Sequence, residues 1–313
     1  MKNTKKTIIL IITCILLICA VCVSSADTTP MITSWYNSKT GDNSTSFTVE
    51  VDETIMFNVS ANQENVTWVW TVNGEDLGEV KDTLELSFEK YGTYNISVYG
   101  SDENYRNNAT RAIYWNVTSV LSVTDDLGYS MDISKKPQRI VSLSPSNTEI
   151  LFALGLDDSI VGVTDYCDYP ADAKEKEKVG SYVTPSVELI VEMNPDLILA
   201  SRGNEMDVLI QLKSLNYTVF GLNPQSLEGI VTSINTVGTL TQEEERASKI
   251  TEDMHQRIDA IEDKTISLSD TQKLSVLYVV WHDPLYVAGT ETFANDLIKK
   301  AGGINIASEL NGW

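Results

Sequence analysis

The 313-residue sequence predicts a multidomain chain: an all-β sandwich, then an α/β part of two lobes joined by a long helix, the second lobe being truncated. Three observations carry that prediction. Between about Thr33 and Val120, short runs alternate apolar and polar residues and are separated by turn residues, the period-2 mark of half-buried strands. After Pro137, β and α signals alternate, as they do in a parallel sheet covered by helices. From Thr241 to Lys264, Ala247, Ile250, Met254, Ile258 and Ile261 recur along one helical face.

The chain opens with Lys2, Lys5 and Lys6, an apolar run from Ile8 to Val23 and the small residues Ser24-Ser25-Ala26. This is the layout of a secretory signal, residues 1–26, cut after Ala26. The competing reading is a retained membrane anchor, because the run falls just short of spanning length. Neither Cys19 nor Cys22 follows the small residues of a lipid-attachment site. Cys14, Cys19 and Cys22 all lie in this segment, so the exported part keeps only Cys167 and a disulfide scaffold is excluded. Cleavage removes three lysines and no acid, taking the formal charge from −21 to −24. Nucleic acid and anionic membrane surfaces are poor partners for such a chain.

The β domain is expected over residues 33–120. Its strands are Phe47–Val51, Ile55–Val59, Val66–Trp70, Leu84–Phe88, Tyr94–Val98 and Ala112–Val117, with turns at Asn73-Gly74 and Tyr91-Gly92. Asn43, Asn58, Asn65, Asn95, Asn108 and Asn116 each head an N-x-S/T triplet, and Asn216 is the one further along. In an exported protein these are glycan acceptors, and with the acidity they suggest an archaeal surface protein; the competing account is chance in an Asn/Ser/Thr-rich domain. Core packing explains Trp68, Trp70, Tyr94 and Trp115 better than a sugar-binding platform. The WVWTVNGE and YGTYNISV blocks resemble PKD and Ig-like modules, which implies a spacer or docking role.

The first α/β lobe is expected over 121–240, opening with a hairpin around Asp126-Leu127-Gly128. Strands follow at Arg139–Leu143, Ile160–Val163, Asp196–Ala200 and Tyr217–Leu222, with helices after Ser146, from Pro185 to Met193, from Glu205 to Leu215 and from Ser226 to Leu240. Ser146 and Glu149 suit a capping box, as do Thr241 and Glu244 at the start of the interlobe helix, residues 241–264. That helix is about 36 Å long at 1.5 Å per residue. A partial second lobe, 265–313, follows: a strand at Leu274–Val280, a loop Trp281–Pro284 and a helix from Thr292 to Ala301.

Catalytic patterns are missing. His255 and His282 sit in no H-E-x-x-H motif, and there is no nucleophile elbow, phosphate loop or dinucleotide fingerprint. Helix capping explains Ser142, Ser144 and Ser146 better than nucleophilic chemistry does. No cofactor and no metal ligand set is expected, and the chain is not expected to be an enzyme; a metal-dependent hydrolase is the weakest reading. A binding site fares better. Ser144-Pro-Ser-Asn-Thr148 offers hydroxyls and helix amides, and Asp165-Tyr-Cys-Asp-Tyr-Pro170 offers two tyrosines and an acid, at the carboxyl ends of neighbouring strands. Two ordinary surface loops remain the alternative on these residues alone.

From Leu127 to Trp313, DDLGYSMDI, PQRIVSLSPSNTEILFALGLDDSIVGVTDYCDYP, VELIVEMNPDLILAS and DPLYVAGTETFANDLIKKAGGINIA, in that order, resemble the substrate-binding proteins of iron-complex and cobalamin ABC importers. DYCDYP and VGSY are most similar to the cobalamin branch. The resemblance implies a pocket formed by Ser144, Ser146, Asn147, Tyr166, Asp168, Tyr169, Tyr182, Ser201 and Arg202 from the first lobe, faced by Trp281, His282 and Asp283 from the second. Tyr182 would pack on a corrin. Ser201 replaces a bulky aromatic, and Arg202 suits an anionic siderophore instead. Glu188 matches the glutamate that docks on the permease; its local role is as a first-turn acid on a helix dipole. The implied partners are an ABC permease with its ATPase and a small-molecule metal chelate, cobalamin or an iron complex, bound by a monomer. The rival class is a structural cell-surface or adhesion protein.

Overall fold

The computed structural model describes residues 30–62, 64, 66–101 and 112–313. The expected signal segment, and the acceptors Asn65 and Asn108, lie outside them. Two compact units divide between Ser119 and Val120.

In the first unit, β1 (Ile32–Asn37), β3 (Thr54–Ala61) and β6 (Thr83–Ser87) form an antiparallel sheet ordered β1-β3-β6. A larger sheet is ordered β2-β8-β7-β4-β5, from β2 (Ser46–Glu50), β8 (Ile113–Thr124), β7 (Gly92–Ser101), β4 (Thr67–Val72) and β5 (Glu75–Val80). Residues of both sheets close one core around Phe57, Trp70, Ile96 and Trp115. The Trp70 and Trp115 rings stack at 5.8 Å, and Phe57 meets Trp115 edge-on at 5.3 Å. These aromatics are fully buried, so they pack the interior instead of facing a ligand. The reading of periods missed β1 and β5. β5 pairs back on β4 through Asn73 and Gly74, whose positive φ values (53° and 85°) suit a tight hairpin turn.

In the second unit the end of β8 pairs with β9 (Ser130–Ile133). A parallel sheet follows in the order β11-β10-β12-β13, from β10 (Ile140–Ser142), β11 (Ile160–Val163), β12 (Leu197–Ser201) and β13 (Val219–Leu222). Its strands are almost continuously buried because helices cover both faces. The helices are α1 (Pro145–Ala153), α2 (Val187–Glu192), α3 (Met206–Ser214), α4 (Leu227–Thr241), α5 (Glu244–Thr265) and α6 (Phe293–Lys300).

Helix starts needed correcting. Ser144, not Ser146, caps α1: its Oγ accepts from the Asn147 amide, and Pro145 takes the first helical position, where a missing N–H costs nothing. Ser186, not Thr184-Pro185, caps α2. Thr241 belongs to the end of α4, where its hydroxyl donates to the Val237 carbonyl, and the chain reverses at Gln242 (φ 55°). The capping box expected there does not form. α5 spans 22 residues. A Cβ on Gly238 of α4 would fall 2.5 Å from the Ala247 Cβ, so the glycine permits this close crossing.

The expected strand Leu274–Val280 is two strands. β14 (Ser275–Val276) pairs in parallel with β17 (Ile304–Asn305), whereas β15 (Val279–His282) pairs antiparallel with β16 (Leu285–Val287). Different partners on either side of Leu277 and Tyr278 break the run. Trp281 and His282 are therefore strand residues, not loop residues.

Candidate binding site

Strand order determines where the chain leaves a crevice. From β10 the chain goes first to β11 on one side and then to β12 on the other, so the loops after β10 and β12 diverge and leave a gap between them. Asn147 and Asn204 bridge its floor. Asn147 Nδ2 donates to the Ala200 carbonyl (3.0 Å); Asn204 Nδ2 donates to the carbonyls of Leu143 (2.9 Å) and Tyr182 (2.6 Å), and its Oδ1 accepts from the Ser201 amide (2.7 Å). Both side chains are buried and bonded to backbone of a neighbouring segment, which makes them struts of the site. Asn204 was not among the expected residues. A polar residue three positions beyond the end of a buried strand was the only sign of it.

Ser201 and Tyr182 share a hydrogen bond of 2.8 Å between hydroxyls, and Ser201 Oγ also accepts from the Gly203 amide (3.2 Å). A side chain on Gly203 would overlap the Tyr182 ring. The tyrosine is thus seated on bare backbone at the rim, with Arg202 exposed beside it. Ser144 is buried as the helix cap, and its hydroxyl lies 2.9 Å from that of exposed Ser146.

The second loop is tied to the first from below. Cys167 is buried, with the Thr148 and Thr164 hydroxyls each 3.2 Å from its sulfur. Lys178 Nζ donates to the Cys167 and Ala173 carbonyls at 3.2 Å each. With its interior pinned, the loop shows solvent Tyr166 (66% exposed), Asp168 and Tyr169 (68% exposed). Two large aromatics are thus held out in solvent on a fixed loop, an exposed apolar feature of the kind that binding sites use.

A cavity of about 620 Å³ adjoins this rim, within the size range of small-molecule sites. Ser146, Asn147, Glu149 and Ile150 of α1 form one wall and Tyr169 another; Leu222 and Pro224 after β13, Ile230 and Ile234 of α4 and Met254 of α5 complete the lining. Of the expected residues, Ser146, Asn147 and Tyr169 line it. Tyr182 and Ser201 gather at the neighbouring crevice. Trp281, His282 and Asp283 line neither: the Trp281 indole donates to the Asp283 carbonyl (2.8 Å) and its ring lies 5.3 Å from that of His282. Among the described residues no group of three or more His, Cys, Asp or Glu is placed to hold a metal ion.

Glu188, exposed on the first turn of α2, accepts from the Ser186 hydroxyl (3.0 Å). Its own backbone amide, and then that hydroxyl, hold its carboxyl below the ordinary value, so it stays anionic at neutral pH. No helix among the described residues is long and apolar enough to cross a membrane.

Comparison with known proteins places this geometry in a family. An ABC transporter substrate-binding lipoprotein of Bacillus subtilis, itself uncharacterized, is 36% identical over 203 residues, 63% of this chain and 64% of that protein. The vitamin B12-binding protein of Yersinia pestis is 32% identical over 173 residues, 55% of this chain and 61% of that protein. The chain thus spans less than two thirds of the length of either relative. The crystal structure of a possible iron-binding, periplasmic solute-binding protein from Staphylococcus epidermidis matches with a TM-score of 0.51 at 33% identity, over 57% of this chain and 70% of that one. The periplasmic binding protein family model matches residues 140–313, the whole stretch from the first parallel strand through both loops and the long helix, and the chain belongs to that family.

Proposed function

We propose that this chain is the exported solute-binding component of an ABC importer, and that it captures cobalamin or a related corrinoid for delivery to the permease. The observation that carries the reading is the pinned loop after β11, which holds out Tyr166 and Tyr169 beside a cavity, together with Tyr182 seated on Ser201 at the crevice with its polar floor. A corrinoid is a broad, flat ligand with amide groups at its rim. Aromatic faces suit its ring and the exposed Ser146 hydroxyl suits its edge. The B12-binding and substrate-binding names of the relatives support the same class. Binding needs no bond making. The Asn147 and Asn204 struts hold the crevice in shape before ligand arrives, which lowers the ordering cost of association. The β unit serves as a PKD/Ig-like spacer that holds the binding unit away from the cell surface, and the amino-terminal apolar segment directs export or anchors the chain.

A second reading, an iron chelate or haem, is favoured by exposed Arg202, a partner for an anionic ligand, and by the iron-binding structural relative. Calorimetric titration of the full chain with cyanocobalamin, hemin and a ferric siderophore separates the two. Heat with cyanocobalamin at micromolar concentration is expected. Heat with only hemin or the siderophore moves the assignment to iron complexes, and heat with none overturns both.

Glu188 is assigned the contact with basic residues of the permease. Glu188→Ala is expected to leave solute affinity unchanged while reducing capture by permease-containing vesicles several-fold. Equal loss of both would place Glu188 in the pocket and end this assignment.

A further inference from the structure

Among the described residues of the first unit, the fold sorts the glycan-acceptor triplets into ones that can react and one that cannot. β7 and β8 pair antiparallel with Asn95 directly opposite Asn116. Both side chains are exposed, while Ile96, Trp115 and Val117 beside them point into the core. Residues two apart in a strand share a face, so Ser97 and Thr118, the hydroxyl residues of the two triplets, lie on the same outward surface. The Asn116 amide donates to the Thr45 carbonyl (2.7 Å), and Thr45 ends the triplet headed by exposed Asn43. Asn95 and Asn116 therefore share one strip on the larger sheet, and the exposed triplet of Asn43 joins it at its edge. Asn58 differs: its Oδ1 accepts from the Thr83 hydroxyl (3.1 Å) and its Nδ2, the atom a glycan would join, is buried without a hydrogen-bond partner among the described residues.

We infer that the strip of Asn43, Asn95 and Asn116 is an N-glycosylation surface and that Asn58 is not modified. The donor class is a lipid-phosphate-linked oligosaccharide. The bond from sugar C1 to the phosphate oxygen breaks, C1 bonds to the asparagine Nδ2, one Nδ2 proton is released, and the lipid phosphate leaves with the electron pair. Directly opposed residues on antiparallel strands have Cβ atoms about 5 Å apart, so a sugar on either Asn95 or Asn116 covers the other. Each folded molecule carries one glycan at that pair, with a second at Asn43. The inference requires export but not a particular solute.

The test is glycopeptide mass spectrometry of the full chain recovered from the exported fraction of a host with N-linked glycosylation. Recovery there reads export separately from modification. Glycan on Asn43 and on either Asn95 or Asn116, with Asn58 bare, is the expected result. An exported chain with bare strip peptides, or a glycan on Asn58, overturns the inference. The double variant N95Q/N116Q should lose one glycan mass and keep the one at Asn43. If that variant fails to fold, the site map of the unaltered chain still decides.

Discussion

Asn204→Ala is expected to lower stability by about 3 kcal/mol and to weaken solute binding by at least about tenfold, because it strips one buried and two part-buried backbone groups of their partner at once. The carbonyls of Leu143 and Tyr182 and the amide of Ser201 all bond to this side chain, which is 4% exposed. Alanine fills none of these roles, and the loops after β10 and β12 lose the strut that spaces them. Urea denaturation should show a lower midpoint with an unchanged slope, the sign of lost stability without lost compactness. Asn204→Asp is the informative companion. It keeps the acceptor for Ser201 but sets a buried carboxylate oxygen against the carbonyls of Leu143 and Tyr182, so its stability should fall at least as far as that of alanine. A loss below about 1 kcal/mol for alanine would show that water replaces the strut and that the crevice is not held by it.

Asp125→Ala is expected to be at least as damaging, at about 3–5 kcal/mol. Asp125 is buried. Its Oδ1 accepts from the amides of Leu127 (3.0 Å) and Tyr129 (2.8 Å), and its Oδ2 accepts from the Gly221 amide (3.0 Å). Lys213 Nζ lies 3.8 Å from Oδ2 and 3.2 Å from the centre of the Tyr129 ring. Burial pushes the Lys213 pKa down, and the charge of Asp125 opposes that shift. Removing the carboxylate leaves this cation facing only an aromatic ring and frees three amides. It also removes one tie between the β8–β9 hairpin and β13, leaving those of Asp126 to the Gly221 carbonyl and the Asn223 amide; Leu222 and Pro224, which line the cavity, adjoin these residues. Thermal denaturation reads the loss. Lys213→Met with Asp125→Asn should recover part of it, since no buried charge is then left unpaired. No recovery would mean that the amide bonds, not the ion pair, carry the effect.

The local sequence was enough to place much of this architecture. Ser226 before an apolar-periodic run and Thr292 before another announced α4 and α6, and in the structure both side chains cap the helices they precede. The parallel strands read as short buried runs because no face of them sees water. What the sequence hid depends on contacts distant in the chain. Ser144 and Ser146 are equally good caps by type, and Pro145 between them decides. Leu274–Val280 reads as one strand because strand propensity does not say which neighbour each half pairs with. Asn204 reads as a loop residue because its three partners come from three different segments. The aromatic loop was legible in composition, whereas its fixing by Lys178 and by Cys167 against Thr148 was not, since those contacts join residues 11 and 19 positions apart.

The crossing of α4 and α5 has a mechanical side. Gly238 against Ala247, the Arg246 guanidinium on the Leu154 carbonyl (2.8 Å) and Lys136 on Glu243 (2.8 Å) clamp α5 at its amino end. Its other end holds the second-lobe elements through Glu262 and Lys300 (2.6 Å). From Ala247 to Thr265 the helix is a lever arm of about 27 Å at 1.5 Å per residue. A tilt of about 4° at the clamp, within what side-chain packing absorbs, carries the far end about 2 Å. Small strains at the glycine crossing are thereby geared up into displacements the width of an atom at the second-lobe elements.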